Sequence, residues 1–334
     1  MSRALAGIIA NPASGRDIRR LVAHGTVFDN NEKTAIVRRV LLGLAAIGIK
    51  QVAYMPEHDF GIVPRALDGW QGPPMNVEPL AMPVLGTSAD STRAAQLLAE
   101  LGAGCIITLG GDGTNRAVAI GCNTVPLVPI STGTNNVFPA FIEGTLAGLA
   151  AGLIVSGRVA DEAVQRVPWL EVLIDGASRD YALVDVVASS LPFVGSRAIW
   201  DLSVVREVAL ARVAPATIGL SALGCALLNH QSDTDHLPGM HIALGDGGAQ
   251  VLAALAPGLV RWVGVKTYRR LALDDRVQFQ SGAGTLALDG EREIELSATT
   301  PVEVRLRADG PFVVNVDAAL AAAAHAGHLS RQAR

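Results

Sequence analysis

Lysine is nearly missing from this 334-residue chain: Lys33, Lys50 and Lys266 are its three lysines among 27 basic residues. None of them follows a glycine loop, which excludes a Walker A phosphate lysine. A chain of this composition that handles phosphate must do so with backbone N–H groups and arginine. The three cysteines, Cys105, Cys122 and Cys225, form no close pair. That excludes a disulfide scaffold and suits small core residues of a reduced cytosolic protein. Aromatic residues make up 4% of the chain, so its core must be built from Ala, Val, Leu and Ile. No apolar run approaches the ~18 residues of a membrane helix. The richest stretch, Leu146 to Val155, is interrupted by Gly148 and Gly152. A net charge of −4 argues against general nucleic-acid binding. The opening Met-Ser-Arg-Ala-Leu-Ala-Gly-Ile-Ile-Ala is too short in its apolar part for a signal peptide and reads as a first strand. The expected setting is cytoplasmic, with neither membrane nor nucleic acid as partner.

What is present is a change of pattern along the chain. Over the first ~140 residues apolar strand-like runs alternate with helical spacing, the mark of a parallel α/β sheet. Strands are predicted at Leu5–Ala10, Gln51–Tyr54, Met82–Leu85, Cys105–Thr108 and Leu127–Ile130. Helices are predicted over Glu32–Ile47, from Ser88 or Asp90 to about Leu101, and near Gly144–Ser156. Gly61–Pro79 reads as a loop. Beyond it come short alternating runs at Glu171–Ile174, Tyr181–Ala188, Arg276–Gln280, Thr285–Leu288, Glu293–Leu296 and Val302–Leu306. Asp175-Gly176, Asp289-Gly290 and Asp309-Gly310 are hairpin signals. The expected fold is an N-terminal doubly wound, Rossmann-like α/β domain (1–140) followed by a mainly antiparallel β domain (141–311). An alanine-rich helix in the tail (about 312–334) is expected to pack back onto the first domain.

Three polar turns end predicted parallel strands, and such turns line one crevice in sheets of this kind. In Leu109-Gly110-Gly111-Asp112-Gly113-Thr114, an apolar strand runs into a turn of three glycines. These glycines remove side chains that would hold a phosphate off the backbone, and a helix starting near Thr114 would aim its positive end at the same place. Asp112, the one carboxylate there, suits a magnesium ion or a proton taken from an attacking hydroxyl. A tight turn capped by Asp112 is the plainer alternative, but it needs one glycine, not three. Asn11-Pro12-Ala13-Ser14-Gly15 and Ser131-Thr132-Gly133-Thr134-Asn135-Asn136 are the other two turns. His230, Asp233, Asp235, His236 and His241 have spacings zinc accepts, but their segment reads as a solvated loop. Arg197, Arg206, Arg261, Arg269 and Arg270 are candidate phosphate partners, with surface solvation the simpler fate of most.

These turns, followed by Leu288-Asp289-Gly290-Glu291, resemble the superfamily of NAD kinases and diacylglycerol-type lipid kinases. Within it, Leu183 to Asp201 is most similar to the acetoin-catabolism X proteins, an ATP–NAD kinase-like branch. The resemblance implies ATP phosphates and Mg²⁺ around Gly110, Gly111, Asp112, Gly113 and Thr114, with Asn11, Ser14 and Gly15 nearby. Gly133, Thr134, Asn135 and Asn136 correspond to the family's Gly-Thr-x-Asn turn. It further implies catalytic roles for Asp112, also the candidate metal ligand, and Asp289, with Asp185 and Glu291 toward the acceptor. The implied activity is transfer of the γ-phosphoryl group of Mg-ATP to a hydroxyl, the 2′-hydroxyl of NAD first, in a homodimer or homotetramer. A lipid or small-polyol kinase and a nucleotide-binding regulator without turnover are the alternatives. Two departures bear on the acceptor. Val184-Asp185 stands where NAD kinases have an Asn-Glu pair, and Val137 stands where lipid kinases carry Asp.

Overall fold

A computed structural model describes residues 4–14, 24–26, 28–159, 161–191, 202–228, 239–280 and 282–330. The first sheet is built around β1 (Leu5–Ala10), which is apolar on both faces, as a strand covered by helices on both sides must be. Parallel to it run β2 (Gln51–Tyr54), β3 (Asn76–Pro79), β4 (Cys105–Gly110) and β5 (Leu127–Ser131). The helices between them are α1 (Asn30–Ile47), α2 (Ile62–Leu67), α3 (Ser88–Glu100), α4 (Asp112–Gly121) and α5 (Gly144–Val155). Alternation along β1 sends Ala6, Ile8 and Ala10 into the core beneath α1 and α5, and Ile9 into the core beneath α3 and α4. Helices α1 and α5 meet through glycine. A Cβ on Gly148 would lie 2.2 Å from the Val40 carbonyl oxygen, so the residue that interrupts the apolar run is what permits the contact.

The sheet is completed by β6 (Val164–Arg166) and β17 (Phe312–Val314), giving the order β3-β2-β1-β4-β5-β17-β6. The order reverses between β1 and β4, and a crevice forms there at the carboxyl ends of the strands. Both α5 and β6, which lie beyond residue 140, thus belong with the first sheet. The final helix, α7 (Val316–His325), buries Ala319 and Ala323 against the same core.

The rest of the chain forms two antiparallel sheets. One has the order β13-β16-β7-β8, from β7 (Trp169–Ile174), β8 (Ala177–Ala182), β13 (Arg276–Phe279) and β16 (Val302–Arg307). The other has the order β12-β11-β10-β9-β14-β15, from β9 (Asp185–Ser189), β10 (Val205–Leu210), β11 (Gly239–Ala256), β12 (Leu259–Leu271), β14 (Gly284–Leu288) and β15 (Glu291–Leu296). Leu170, Val172, Val304 and Leu306 of the first meet Val186, Ala188, Leu286 and Leu288 of the second in one core. Helix α6 (Ser221–Ala226) covers the outer face of the larger sheet.

Several local expectations change. Met82–Leu85 is not a strand. The edge strand is β3, whose Asn-Val-Glu-Pro is mostly exposed and so carries no apolar signature. The Gly61–Pro79 stretch holds both that strand and α2. Tyr181–Ala188 is two strands, because the chain leaves the smaller sheet at Ala182 and enters the larger at Asp185. Asp309-Gly310 links strands of different sheets and is not a hairpin. The long β11–β12 pair had no clear signal, since much of β11 is exposed and Gly245, Gly247 and Gly248 break its pattern.

Candidate functional site

The strand-order reversal places the first two polar turns side by side, with Ala10 paired to Leu109 at the ends of β1 and β4. Asn11 Nδ2 donates to Thr114 Oγ1 at 2.9 Å, tying the first turn to the start of α4. Ser14 Oγ lies 3.2 Å from Thr132 Oγ1, which brings in the third turn. Asn136 Nδ2 donates to Ser131 Oγ at 2.8 Å, and Thr134 Oγ1 accepts from the Thr26 N–H at 2.9 Å. All three turns therefore meet over the N-terminus of α4. They line one cavity of about 860 Å³ together with Gly111, Asp112, Gly113, Asp289 and Glu291. Gly15 lies outside the described residues.

None of the three glycines of the central turn has a positive φ. Space is what they provide. A Cβ on Gly110 would stand 2.5 Å from Thr114 Cβ, one on Gly111 2.8 Å from Asn136 Oδ1, and one on Gly113 3.2 Å from Glu291 Oε1. Thr114, Asn136 and Glu291 thus close around the turn from three directions, and the backbone N–H groups at the start of α4 face the cavity.

The acidic residues differ sharply in what they touch. Asp112 takes N–H contacts from Val137 at 3.0 and 3.1 Å, one to each oxygen, and from Phe138 at 2.7 Å. Behind it, Arg212 donates to the Val137 carbonyl at 3.1 Å. Burial lowers the Arg212 pKa, and the Asp112 charge opposes that shift. Asp289 sits at φ 50° in the Asp-Gly turn between β14 and β15, with Gly290 at φ 88°. Its carboxylate accepts from the N–H groups of Leu183, Val184 and Asp185 at 2.9, 2.8 and 3.2 Å. Burial pushes its pKa up to about 7, with Arg116 and the N–H groups of Leu183 and Val184 pulling down and Asp112 adding to the rise. Glu291 is exposed at the cavity wall and takes no hydrogen bond among the described residues. Asp185 is buried on β9 and lines a smaller pocket beside Asp112.

No sequence signal marks Lys33, which lies in the first turn of a helix pattern and follows no glycine loop. Its buried Nζ donates to the carbonyls of Asn11 at 3.0 Å and Ser14 at 2.6 Å and to Asn30 Oδ1 at 3.1 Å. It fixes the first turn from behind. Among the described residues Arg116 is the single arginine of the cavity lining, and its Nη1 is bound to Asp180 at 3.1 Å. Arg206, Arg261, Arg269 and Arg270 lie away from the cavity, and Arg197 is outside the described residues. His241 pairs with Glu207 at 2.8 Å on neighbouring strands, while His230, Asp233, Asp235 and His236 lie outside the described residues. Among the described residues no group of three His, Cys, Asp or Glu is placed to hold a metal.

An α/β sheet with its crevice at a glycine–aspartate turn, joined to a β sandwich that brings a second Asp-Gly-Glu turn to the same crevice, gives the chain an NAD kinase-like fold. Residues 7–159 match the family described as ATP-NAD kinase N-terminal domain. Residues 168–309 match the acetoin catabolism protein X C-terminal domain. The chain is 38% identical to acetoin catabolism protein X of Cupriavidus necator, over 97% of this chain and 93% of that one. It belongs to the acetoin catabolism protein X family. Among solved structures, a diacylglycerol kinase from Bacillus anthracis is 13% identical with a TM-score of 0.44, covering 94% of this chain and 97% of the other. A putative diacylglycerol kinase from the same organism is 14% identical with a TM-score of 0.43, covering 94% and 99%. Among the described residues no helix is long and apolar enough to cross a membrane.

Proposed function

We propose that this protein is an ATP-dependent phosphotransferase acting on an alcohol, with the triphosphate over the N-terminus of α4. The observation that carries this reading is the convergence on Gly110-Gly111-Asp112-Gly113, where three side chains crowd the positions a Cβ would need and the glycines leave only backbone at the helix start. Transfer of a phosphoryl group needs positioning and charge neutralisation more than covalent help from the protein. The N–H groups of the turn and the dipole of α4 supply part of that charge.

Among the described residues the lining carries more carboxylates than basic groups, so a divalent ion arriving with the nucleotide suits this site. Magnesium is held by one or two carboxylates plus substrate phosphates. Asp112 is the carboxylate that lines the cavity at the very start of α4, and it is the residue we assign to the ion. The ion would neutralise charge on the transferring phosphate. Glu291, above Gly113 and free of hydrogen bonds among the described residues, is the group we assign to take the proton of the acceptor hydroxyl. Asp289 has a different part. With three backbone N–H contacts and full burial it holds the crossing between the two β sheets, and so the wall that carries Glu291.

NAD, implied by the N-terminal family likeness, is the first acceptor to test. A smaller alcohol is favoured by one observation, the small pocket beside Asp112 whose walls combine aliphatic side chains with a few polar groups. The name of the Cupriavidus necator relative supports a link to acetoin catabolism, and a homo-oligomer working in the cytoplasm without membrane or nucleic acid is part of the proposal. Calorimetry of the purified chain with Mg-ATP, and ADP release in the presence of each acceptor, test the reading. Absence of Mg-ATP binding would remove it.

A further inference from the structure

A second pocket, about 80 Å³, opens beside the main cavity, and the two share Asp112, Asn135, Ala256, Asp289 and Gly290 in their walls. Its walls are otherwise mostly aliphatic: Val137 from the first domain faces Val184, Val187, Ile218, Leu220 and Leu259 from the β domain. At ~10–15 Å³ for each water-sized centre, such a space takes on the order of half a dozen non-hydrogen atoms. Adenine is too large for it, and so is an acyl chain. No arginine or lysine is found among its described lining residues, whereas Asp112, Asp185 and Asp289 are, which disfavours an anionic guest. Asn135 adds a second, independent observation. Its Oδ1 is buried and accepts no hydrogen bond among the described residues, and Asn135 lines both pockets. A buried carbonyl oxygen without a donor is costly, and a ligand hydroxyl at the junction would satisfy it.

Resting on the phosphotransferase reading, we infer that the acceptor is a compact, uncharged alcohol of about four to six non-hydrogen atoms, its aliphatic end in this pocket and its hydroxyl at Asn135. In the reaction the hydroxyl oxygen forms a bond to the γ-phosphorus as the bond from that phosphorus to the β–γ bridging oxygen breaks. The hydroxyl proton passes to Glu291 beside Gly290, ADP leaves with the bridging oxygen, and the product is the phosphate monoester of the alcohol. The departure at Val184 fits this guest, since the position where NAD kinases have an amide presents an aliphatic wall instead.

The test uses the full chain with Mg-ATP and, in separate reactions, butane-2,3-diol, 3-hydroxybutan-2-one, glycerol, NAD or dioleoylglycerol vesicles, following ADP release. Saturation-transfer NMR of the two four-carbon alcohols without nucleotide gives a readout independent of turnover. ADP release with a four-carbon alcohol is expected. In Ile218→Trp, a substitution at a half-buried lining position that adds bulk to the pocket, KM for that alcohol should rise at least tenfold with Mg-ATP affinity unchanged. Asn135→Ala should weaken the NMR signal and serves as the second variant if Ile218→Trp does not fold. ADP release with NAD or diacylglycerol and not with the small alcohols would overturn this inference and leave the phosphotransferase standing. Mg-ATP binding with no alcohol signal by either readout would also overturn it. Failure to bind Mg-ATP at all would remove the underlying reading instead.

Discussion

Arg116 and Asp289 face each other across the junction of the two domains, Nε to Oδ2 at 3.8 Å, with the Asp289 side chain fully buried and that of Arg116 nearly so. Arg116 stands on α4 and Asp289 on the turn that carries Glu291, while Asp180 holds the other end of the guanidinium. This cluster couples the position of the cradle to that of the opposite wall. Removing the guanidinium leaves buried carboxylate charge without its partner, which costs about 3–5 kcal/mol. Arg116→Met should therefore lower the melting temperature by many degrees, as circular dichroism will show, and an unchanged midpoint would mean the cluster has no structural part.

Asp289 makes a signed prediction for pH. Its pKa rises from the ordinary 3.8 to about 7 on folding. Between those values the folded chain holds a proton that the unfolded chain has lost. The contribution of this group to stability is thus fully present below the lower value and declines as pH climbs toward the upper. Denaturant midpoints measured from pH 4.5 to 7.5 should carry this downward contribution, and Asp289→Asn should lack it, so that the difference between parent and variant isolates the contribution.

Glu291 and Asp112 separate by measurement. Glu291→Gln should reduce kcat by about 10²–10⁴-fold while melting temperature and Mg-ATP affinity hold, because the side chain supports no described neighbour. Asp112→Asn should reduce stability as well, since an amide NH₂ would meet the Val137 or Phe138 N–H. Equal kinetic loss with equal stability in both variants would contradict the division of roles.

Lys33 should matter without reaching into the cavity. Lys33→Met leaves the Ser14 carbonyl without its donor, at about 1–3 kcal/mol, while the Asn11 carbonyl keeps the Ser14 hydroxyl. Loss of melting temperature together with at least tenfold weaker Mg-ATP binding in calorimetry is the expected pair of results. Normal affinity would show that the first turn keeps its shape unaided.

Much of this site was legible because its parts are local. A run such as Cys105–Thr108 followed by Gly110-Gly111-Asp112-Gly113 declares a strand, a turn and a helix start within a dozen residues. Asp289-Gly290 declares its own turn in the same way. The edge strand Asn76–Pro79 carried no such signal, since an exposed four-residue strand needs no apolar periodicity. Nor does any local pattern mark Lys33, whose role depends on carbonyls nineteen to twenty-two positions away.

The chain by itself determined the alternation of elements, the three polar turns and the shortage of lysine, because propensity and periodicity act over neighbouring residues. Only the tertiary structure decided what each acid does. Asp112 and Asp289 are both bound by backbone N–H groups, and Glu291 alone of the three stands open, because hydrogen-bond partners 25 and more than 100 positions away claim the first two. The glycines, too, were visible from the start, but the contacts that require them come from Thr114, Asn136 and Glu291, and two of those three arrive through the folding of distant segments.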